Sequence, residues 1–220
     1  YSGELETKYR IVLNWAIPEN IVDGGKKRSS RLAPYRIETL VTLRKGARWV
    51  EFETKINNNV PNHYLQAAFP TDVDAEFVYA QGQFDVVKRP IAKPDYSKYD
   101  EIPMTEQPMN SFVDICNENE GAAILNTGLK AYESDDDYNH TVYLSLLRCF
   151  ELRIYVTPEE QNYSRIENGS QSFGEHTFRY AFMPHKGDWE DAQVWKAAED
   201  FNMEILIGQT APVSYTHLTL

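Results

Sequence analysis

Long apolar runs are missing from this chain, and no stretch of its 220 residues approaches the roughly 20 consecutive apolar positions of a membrane-spanning helix. Basic charge is scarce as well. The 22 lysines and arginines stand against 33 aspartates and glutamates, giving a formal charge of -11. The short basic runs at residues 26–28 and 44–48 cannot form a broad positive face, so a nucleic-acid backbone would be repelled. Cysteine is limited to Cys116 and Cys149, enough for one disulfide at most. Both lie in apolar, strand-like runs where a buried free thiol is the commoner state. Glycine and proline are scattered, and there is no internal repeat or low-complexity segment. What remains is a soluble globular protein, long enough to bury a substantial core in one large domain or two small ones.

Catalytic signatures are also lacking. His63, His140, His176 and His185 show neither the H-E-x-x-H pattern nor any C-x-x-C pairing that would suggest zinc. There is no G-x-S-x-G elbow, phosphate-binding loop or dinucleotide fingerprint. Retaining glycoside hydrolysis needs two carboxyl groups roughly 5 Å apart. Glu51 and Glu53 alternate with an apolar face, which marks them as solvent-facing instead. Asp135, Asp136 and Asp137 lack the spacing of a calcium loop and read as an acidic turn. His176 and His185 are expected at the surface. Asn139, Asn162 and Asn168 each head an N-x-Ser/Thr sequon, which matters only in a glycosylating compartment.

What the chain does have is strand periodicity. Val50, Phe52, Thr54 and Ile56 alternate with Glu51, Glu53 and Lys55, and residues 35–43 place Ile37, Thr39, Val41 and Leu43 on one face. The turn-forming sequence RKGA at 44–47 joins the two into a hairpin. Further strands are predicted at 9–15, 64–69, 76–79, 84–88, 112–116, 122–126, 142–150, 173–183 and 203–207. Residues 90–108 carry four prolines and predict an extended surface loop. Asp188 can cap a helix running to Asn202, with Ala192, Trp195 and Ala198 at helical spacing. The fold class is therefore all-β, a large antiparallel β-sandwich with one short helix near the C-terminus.

The most distinctive segment is residues 141–150 (TVYLSLLRCF), a nearly unbroken apolar run closed by Arg148, a side chain that is costly to bury unpaired. Around it lie 107–114 (QPMNSFVD), 121–133 (GAAILNTGLKAYE), 173–185 (FGEHTFRYAFMPH), then Gly187, Asp188 and Trp189. In this order and spacing the set resembles the C-terminal β-domain of glycoside hydrolase family 38, the α-mannosidases, including their mannosylglycerate hydrolase-like members.

The resemblance implies a galactose mutarotase-like supersandwich over residues 1–211, with truncation expected at its N-terminal side, where the chain opens on Tyr1. Residues 212–220 (PVSYTHLTL) read as a non-native tail. It also implies that the nucleophile and zinc ligands belong to a separate barrel, so no residue here inherits a catalytic or metal-binding role, no cofactor is expected in this piece, and zinc is expected in the missing catalytic domain. The implied partners are the chain's own N-terminal catalytic barrel and helical bundle, and, through the whole enzyme, an α-mannoside. No nucleic acid or membrane partner is expected, and the expected location is cytoplasmic. Gln107 and Asn110, in the 107–112 loop, and Arg148 are the candidates for walling a mannose pocket. Pairing of Arg148 with a carboxylate or a carbonyl is the more ordinary role, and it outweighs substrate contact. A free-standing carbohydrate-binding sandwich, using its aromatic faces on sugar rings, is the alternative function. A purely structural or adhesive sandwich ranks third.

Overall fold

The computed structural model describes residues 1–93, 95–98, 104–151 and 168–203. The first half contains β1 (Glu6–Pro18), β2 (Ile21–Val22), β3 (Lys27–Arg28), β4 (Leu32–Arg44), β5 (Val50–Asn58), β6 (Tyr64–Phe69), β7 (Phe77–Gln81) and β8 (Val86–Pro90). The second contains β9 (Gln107–Pro108), β10 (Phe112–Cys116), β11 (Glu120–Asn126), β12 (Ala131–Ser134), β13 (Val142–Arg148), α1 (Asn168–Gln171), β14 (Gly174–Lys186) and α2 (Val194–Asn202).

An eight-stranded antiparallel sheet has the order β1-β4-β5-β14-β11-β10-β7-β8, and a four-stranded sheet, β6-β13-β12-β9, packs over part of it. The predicted hairpin is β4 and β5, with Gly46 at φ 77° in its turn and the Ala47 amide donating to the Arg44 carbonyl at 3.1 Å. A positive φ suits glycine because it has no Cβ to clash with the carbonyl. The alternation read from the sequence holds along β5, where Thr54 and Ile56 are buried while Lys55 is exposed.

The core between the sheets joins Tyr35, Ile37 and Ile56 from β4 and β5 to Val113, Ile124, Tyr132, Leu144 and Tyr180. A second core lies on the outer face of the large sheet. There Val194, Ala197, Ala198 and Phe201 of α2 pack on Phe112, Ala123, Leu125, Ala181 and Met183. β10 and β11 are thus covered on both faces, which is why they read as continuous apolar runs rather than as alternating strands. Both cysteines are buried and free.

Some expectations shift. α2 begins at Val194, not after Asp188, because Asp188 Oδ1 accepts the amides of Glu190 (3.0 Å) and Asp191 (2.9 Å) in a separate turn before the left-handed Gln193. Trp195 points away from the helix's buried stripe and is exposed. β2, β3, β9 and β12 are additional short strands, and β9 occupies the start of the segment expected as the 107–112 loop. The strand predicted at 203–207 lies, beyond Met203, outside the described residues, as do Asn162 and the 212–220 tail.

Candidate functional site

Arg148 owes its position to an irregularity in β13. Pairing with β6 runs Ser145↔Gln66, then skips to Leu147↔Leu65 and Arg148↔Tyr64, so a β-bulge falls between Ser145 and Leu147. In a regular strand, Ser145 and Arg148 would face opposite sides. The bulge buries both Leu146 and Leu147 and returns Arg148 to the outward face beside Ser145.

Four side chains meet on that face. The Glu106 carboxylate, only 10% exposed, accepts hydrogen bonds from Tyr64 OH at 2.7 Å, Ser145 Oγ at 2.8 Å and Arg148 Nη1 at 2.9 Å. Gln66 Nε2 donates to the Tyr64 oxygen at 3.0 Å. Burial, reinforced by the negative charge of Glu106 and opposed by the Ser145 contact, pushes the Tyr64 phenol upward, so it remains a donor at neutral pH. The guanidinium is half exposed, with Met104 Sδ at 3.9 Å and the Phe150 ring centroid at 5.9 Å. This geometry anchors a carboxylate. Among the described residues it does not pair it with a second carboxyl, because the hydrogen-bond partners of Glu106 there are a phenol, a hydroxyl and a guanidinium.

The other two candidates are held elsewhere. Gln107 is the cross-strand partner of Tyr132, whose side chain is buried between the sheets, so Gln107 and Arg148 occupy opposite faces of the small sheet. Gln107 helps line a hollow of about 260 Å³ with Arg89, Lys93, Met104 and Tyr132. Asn110 lies beyond β9, where its Oδ1 accepts from Lys130 Nζ at 2.8 Å and its amide donates to the Gln81 carbonyl at 2.7 Å. The structure therefore does not gather Gln107, Asn110 and Arg148 into one wall.

The acidic turn behaves as a turn. Asp137 accepts the Thr141 amide at 2.8 Å and its hydroxyl at 2.7 Å, and these bonds lower its pKa. Asp135 faces Lys93 at 3.4 Å. Among the described residues, no group of three or more His, Cys, Asp or Glu side chains could hold a metal ion.

One buried pair escaped the sequence. His185, expected at the surface, has a side chain only 4% exposed, and its Nε2 lies 2.7 Å from Oδ1 of the fully buried Asp114. Burial disfavours the charged imidazole, but the hydrogen bond and charge of Asp114, helped by the backbone at Lys186 and Gly187, outweigh it and raise the His185 pKa. Burial, then the negative charge of Asp114, push the neighbouring Cys116 thiol upward, keeping it protonated and unreactive. Gly121 makes room for the imidazole, since a Cβ there would collide with the His185 ring and Cys116.

The model of the Glycosyl hydrolases family 38 C-terminal domain matches residues 5–151. The chain belongs to that family. A putative mannosylglycerate hydrolase from Halalkalibacterium halodurans is 29% identical to this family 38 domain over 192 residues, which cover 86% of the chain and 20% of the relative. Human alpha-mannosidase 2C1 is 28% identical over 171 residues, 78% of the chain and 14% of that protein. Among solved structures, an alpha-mannosidase from Enterococcus faecalis V583 superimposes with a TM-score of 0.76 at 26% identity, over 89% of this chain and 22% of its own. The family 38 domain thus spans about a fifth or less of the length of the curated relatives it matches. No helix among the described residues is long and apolar enough to cross a membrane.

Proposed function

We propose that this chain is the non-catalytic C-terminal sandwich of a retaining, metal-dependent α-mannosidase, and that it buttresses an N-terminal catalytic barrel and helical bundle. The observation that carries this is the family match over residues 5–151, together with the small share of each relative that the chain spans. The metal would supply its chemistry in the barrel. The residues of this chain contribute rigid packing, to which Arg148 adds its pairing with Glu106, and Arg148 is the weaker candidate for a contact at the edge of the mannoside pocket. Its guanidinium is half exposed, and among the described residues it bonds Glu106 through Nη1 and touches Met104 Sδ through Nη2, a planar fork of the kind that can also donate to sugar hydroxyls.

The test compares the 220-residue chain with the complete enzyme on an aryl α-mannoside, with and without a chelator, while following the anomer released by NMR. The complete enzyme is expected to release the α-anomer first and to lose activity to the chelator, and the chain alone to be inert. Hydrolysis by the chain alone, or inversion by the enzyme, would sink the proposal. Titrating the chain with mannose while recording tryptophan fluorescence separates the alternative, because a saturable change would mark a carbohydrate-binding module.

A further inference from the structure

The outer face of the large sheet is only partly covered. α2 packs on it over β10, β11 and the later half of β14, and among the described residues the part over β1, β4, β5 and the start of β14 carries no second layer. Tyr35 and Ile37 of β4 and Thr54 and Ile56 of β5 are buried on the core side, so Arg36, Glu38, Lys55 and Asn57 point outward.

Register lines these side chains up in two rows. In one, Asn14 of β1 pairs with Arg36, the pairing of Ile37 with Ile56 sets Arg36 beside Asn57, and Asn57 pairs with Glu175 of β14. In the next, Val12 pairs with Glu38, Glu38 with Lys55 and Lys55 with Thr177. All of them but Val12 line a hollow of about 540 Å³ with Trp15 at its rim, a volume in the range of small-molecule sites.

Two properties of this ladder select its ligand. The first is charge. Arg36 and Lys55 balance Glu38 and Glu175, so within a chain of formal charge -11 the hollow is locally neutral and favours neither an anion nor a cation. The second is open hydrogen-bonding capacity. Glu38 is held by Arg10 Nε at 2.7 Å and Arg36 Nη2 at 3.1 Å, and Lys55 by Glu53 at 2.9 Å. The side chains of Asn14, Asn57, Glu175 and Thr177 make no hydrogen bond or ion pair among the described residues. Two amides, a carboxylate and a hydroxyl thus present donors and acceptors side by side, and the hydroxyls of a sugar, each both donor and acceptor, match that array. A protein partner fits less well, because protein interfaces are anchored by apolar and aromatic side chains, and the two rows hold one apolar residue, Val12.

Four strands at a spacing near 4.8 Å make each row about 14 Å long, the length of about three linked pyranose rings. We infer that this face binds a neutral oligosaccharide lying across β1, β4, β5 and β14, with the cross-strand pair Asn57 and Glu175 donating to and accepting from its hydroxyls. The site is on the far side of the sandwich from Arg148. It goes beyond the buttressing role and does not depend on it.

The test follows the side-chain amide signals of Asn14 and Asn57 by NMR in the 220-residue chain as α-mannotriose, maltotriose, trigalacturonic acid or mannose is added. The expected result is a saturable shift with a neutral trisaccharide, the tighter of the two naming the source, and binding of mannose and of the acidic trimer about ten-fold weaker or more. Asn57→Ala combined with Glu175→Gln, both at exposed positions, should weaken trisaccharide binding by about ten-fold, and Arg148→Ala should leave it unchanged. Absence of a saturable shift with either neutral trisaccharide would overturn the inference, and is the outcome if residues 152–167 or 204–220 fill the hollow. Equal binding by the acidic trimer, or by the Asn57 and Glu175 double variant, would overturn it too. Hydrolysis of an aryl α-mannoside by the complete enzyme keeps the two proposals apart: an inactive enzyme whose chain still binds the trisaccharide would refute the function and leave the site standing, and an active enzyme whose chain does not bind would do the reverse.

Discussion

Replacing Gly121 with alanine tests how the Asp114–His185 pair is seated. Gly121 pairs with Cys116 on β10 and with His185 on β14, and an added Cβ would stand 2.6 Å from both Cys116 Cβ and His185 Nε2. Neither neighbour can yield easily. The Cys116 Cβ is fixed to its strand, and the imidazole is enclosed and tied to Asp114 at 2.7 Å. Gly121 is not among the glycines with positive φ, so an alanine there carries no backbone penalty. On backbone grounds alone the substitution would stabilise the chain by about 0.4–1 kcal/mol, because it restricts the unfolded state. Overpacking costs about 1–3 kcal/mol, and displacing the ring from a buried ionic partner can raise the loss to about 3–5 kcal/mol. The steric effect wins, and the net change is a destabilisation of about 1–4 kcal/mol. At about 2–4 °C per kcal/mol for a domain of this size, the thermal midpoint falls by several degrees. Calorimetry or circular dichroism reads this directly. A midpoint that stays level or rises would refute the packing, and so would strict additivity of Gly121→Ala with His185→Ala, because removing the ring should relieve the clash.

The same pair sets a pH dependence. Its folded-state pKa lies above the unfolded value near 6.5, so its contribution is complete below about that pH and fades as the pH rises through the raised value. Urea midpoints should therefore fall from mildly acidic to alkaline pH, and His185→Gln should flatten that slope; an unchanged slope would count against the ion pair. On the small sheet, Glu106→Ala should cost about 1–3 kcal/mol, because it removes the charged acceptor that Tyr64, Ser145 and Arg148 share. Arg148→Ala should cost less than about 1 kcal/mol, since its guanidinium is half exposed and Glu106 keeps two other partners. The reverse order in chemical denaturation would show that Arg148, not Glu106, is the anchor.

Periodicity carried the fold where strands were long enough to display it. The residues of β6 and β10 were predicted with the bounds observed, and the β4–β5 hairpin followed from alternation and the RKGA turn. β9 and β12, at two and four residues, are too short to show a period, and they are strands only because β13 and its neighbours hold them in register. A carboxylate partner for Arg148 was foreseen in kind, but Glu106 lies 42 residues away within the proline-rich segment 90–108, and nothing local marks it. The adjacent leucines 146 and 147 ahead of Arg148 were the available sign of the bulge. Asp114 was hidden by its setting, one acid in the apolar run FVDIC, and its need for a partner was the signal that could have drawn His185 inward. Membership of family 38 rested on the order of several segments, which no single period conveys.

The place of β14 in the large sheet governs the order in which the chain can assemble. It sits between β5 and β11, so it is the strand that joins the block β1-β4-β5 to the block β11-β10-β7-β8. Its first pair, Gly174 with Asn58, closes a long loop. During synthesis from the N-terminus, the two blocks can each form hairpins early, but they cannot merge until β14 has left the ribosome. Until then the open edges of β5 and β11 lie unpaired in the same nascent chain, and that interval is when misassembly and recruitment of chaperones would concentrate.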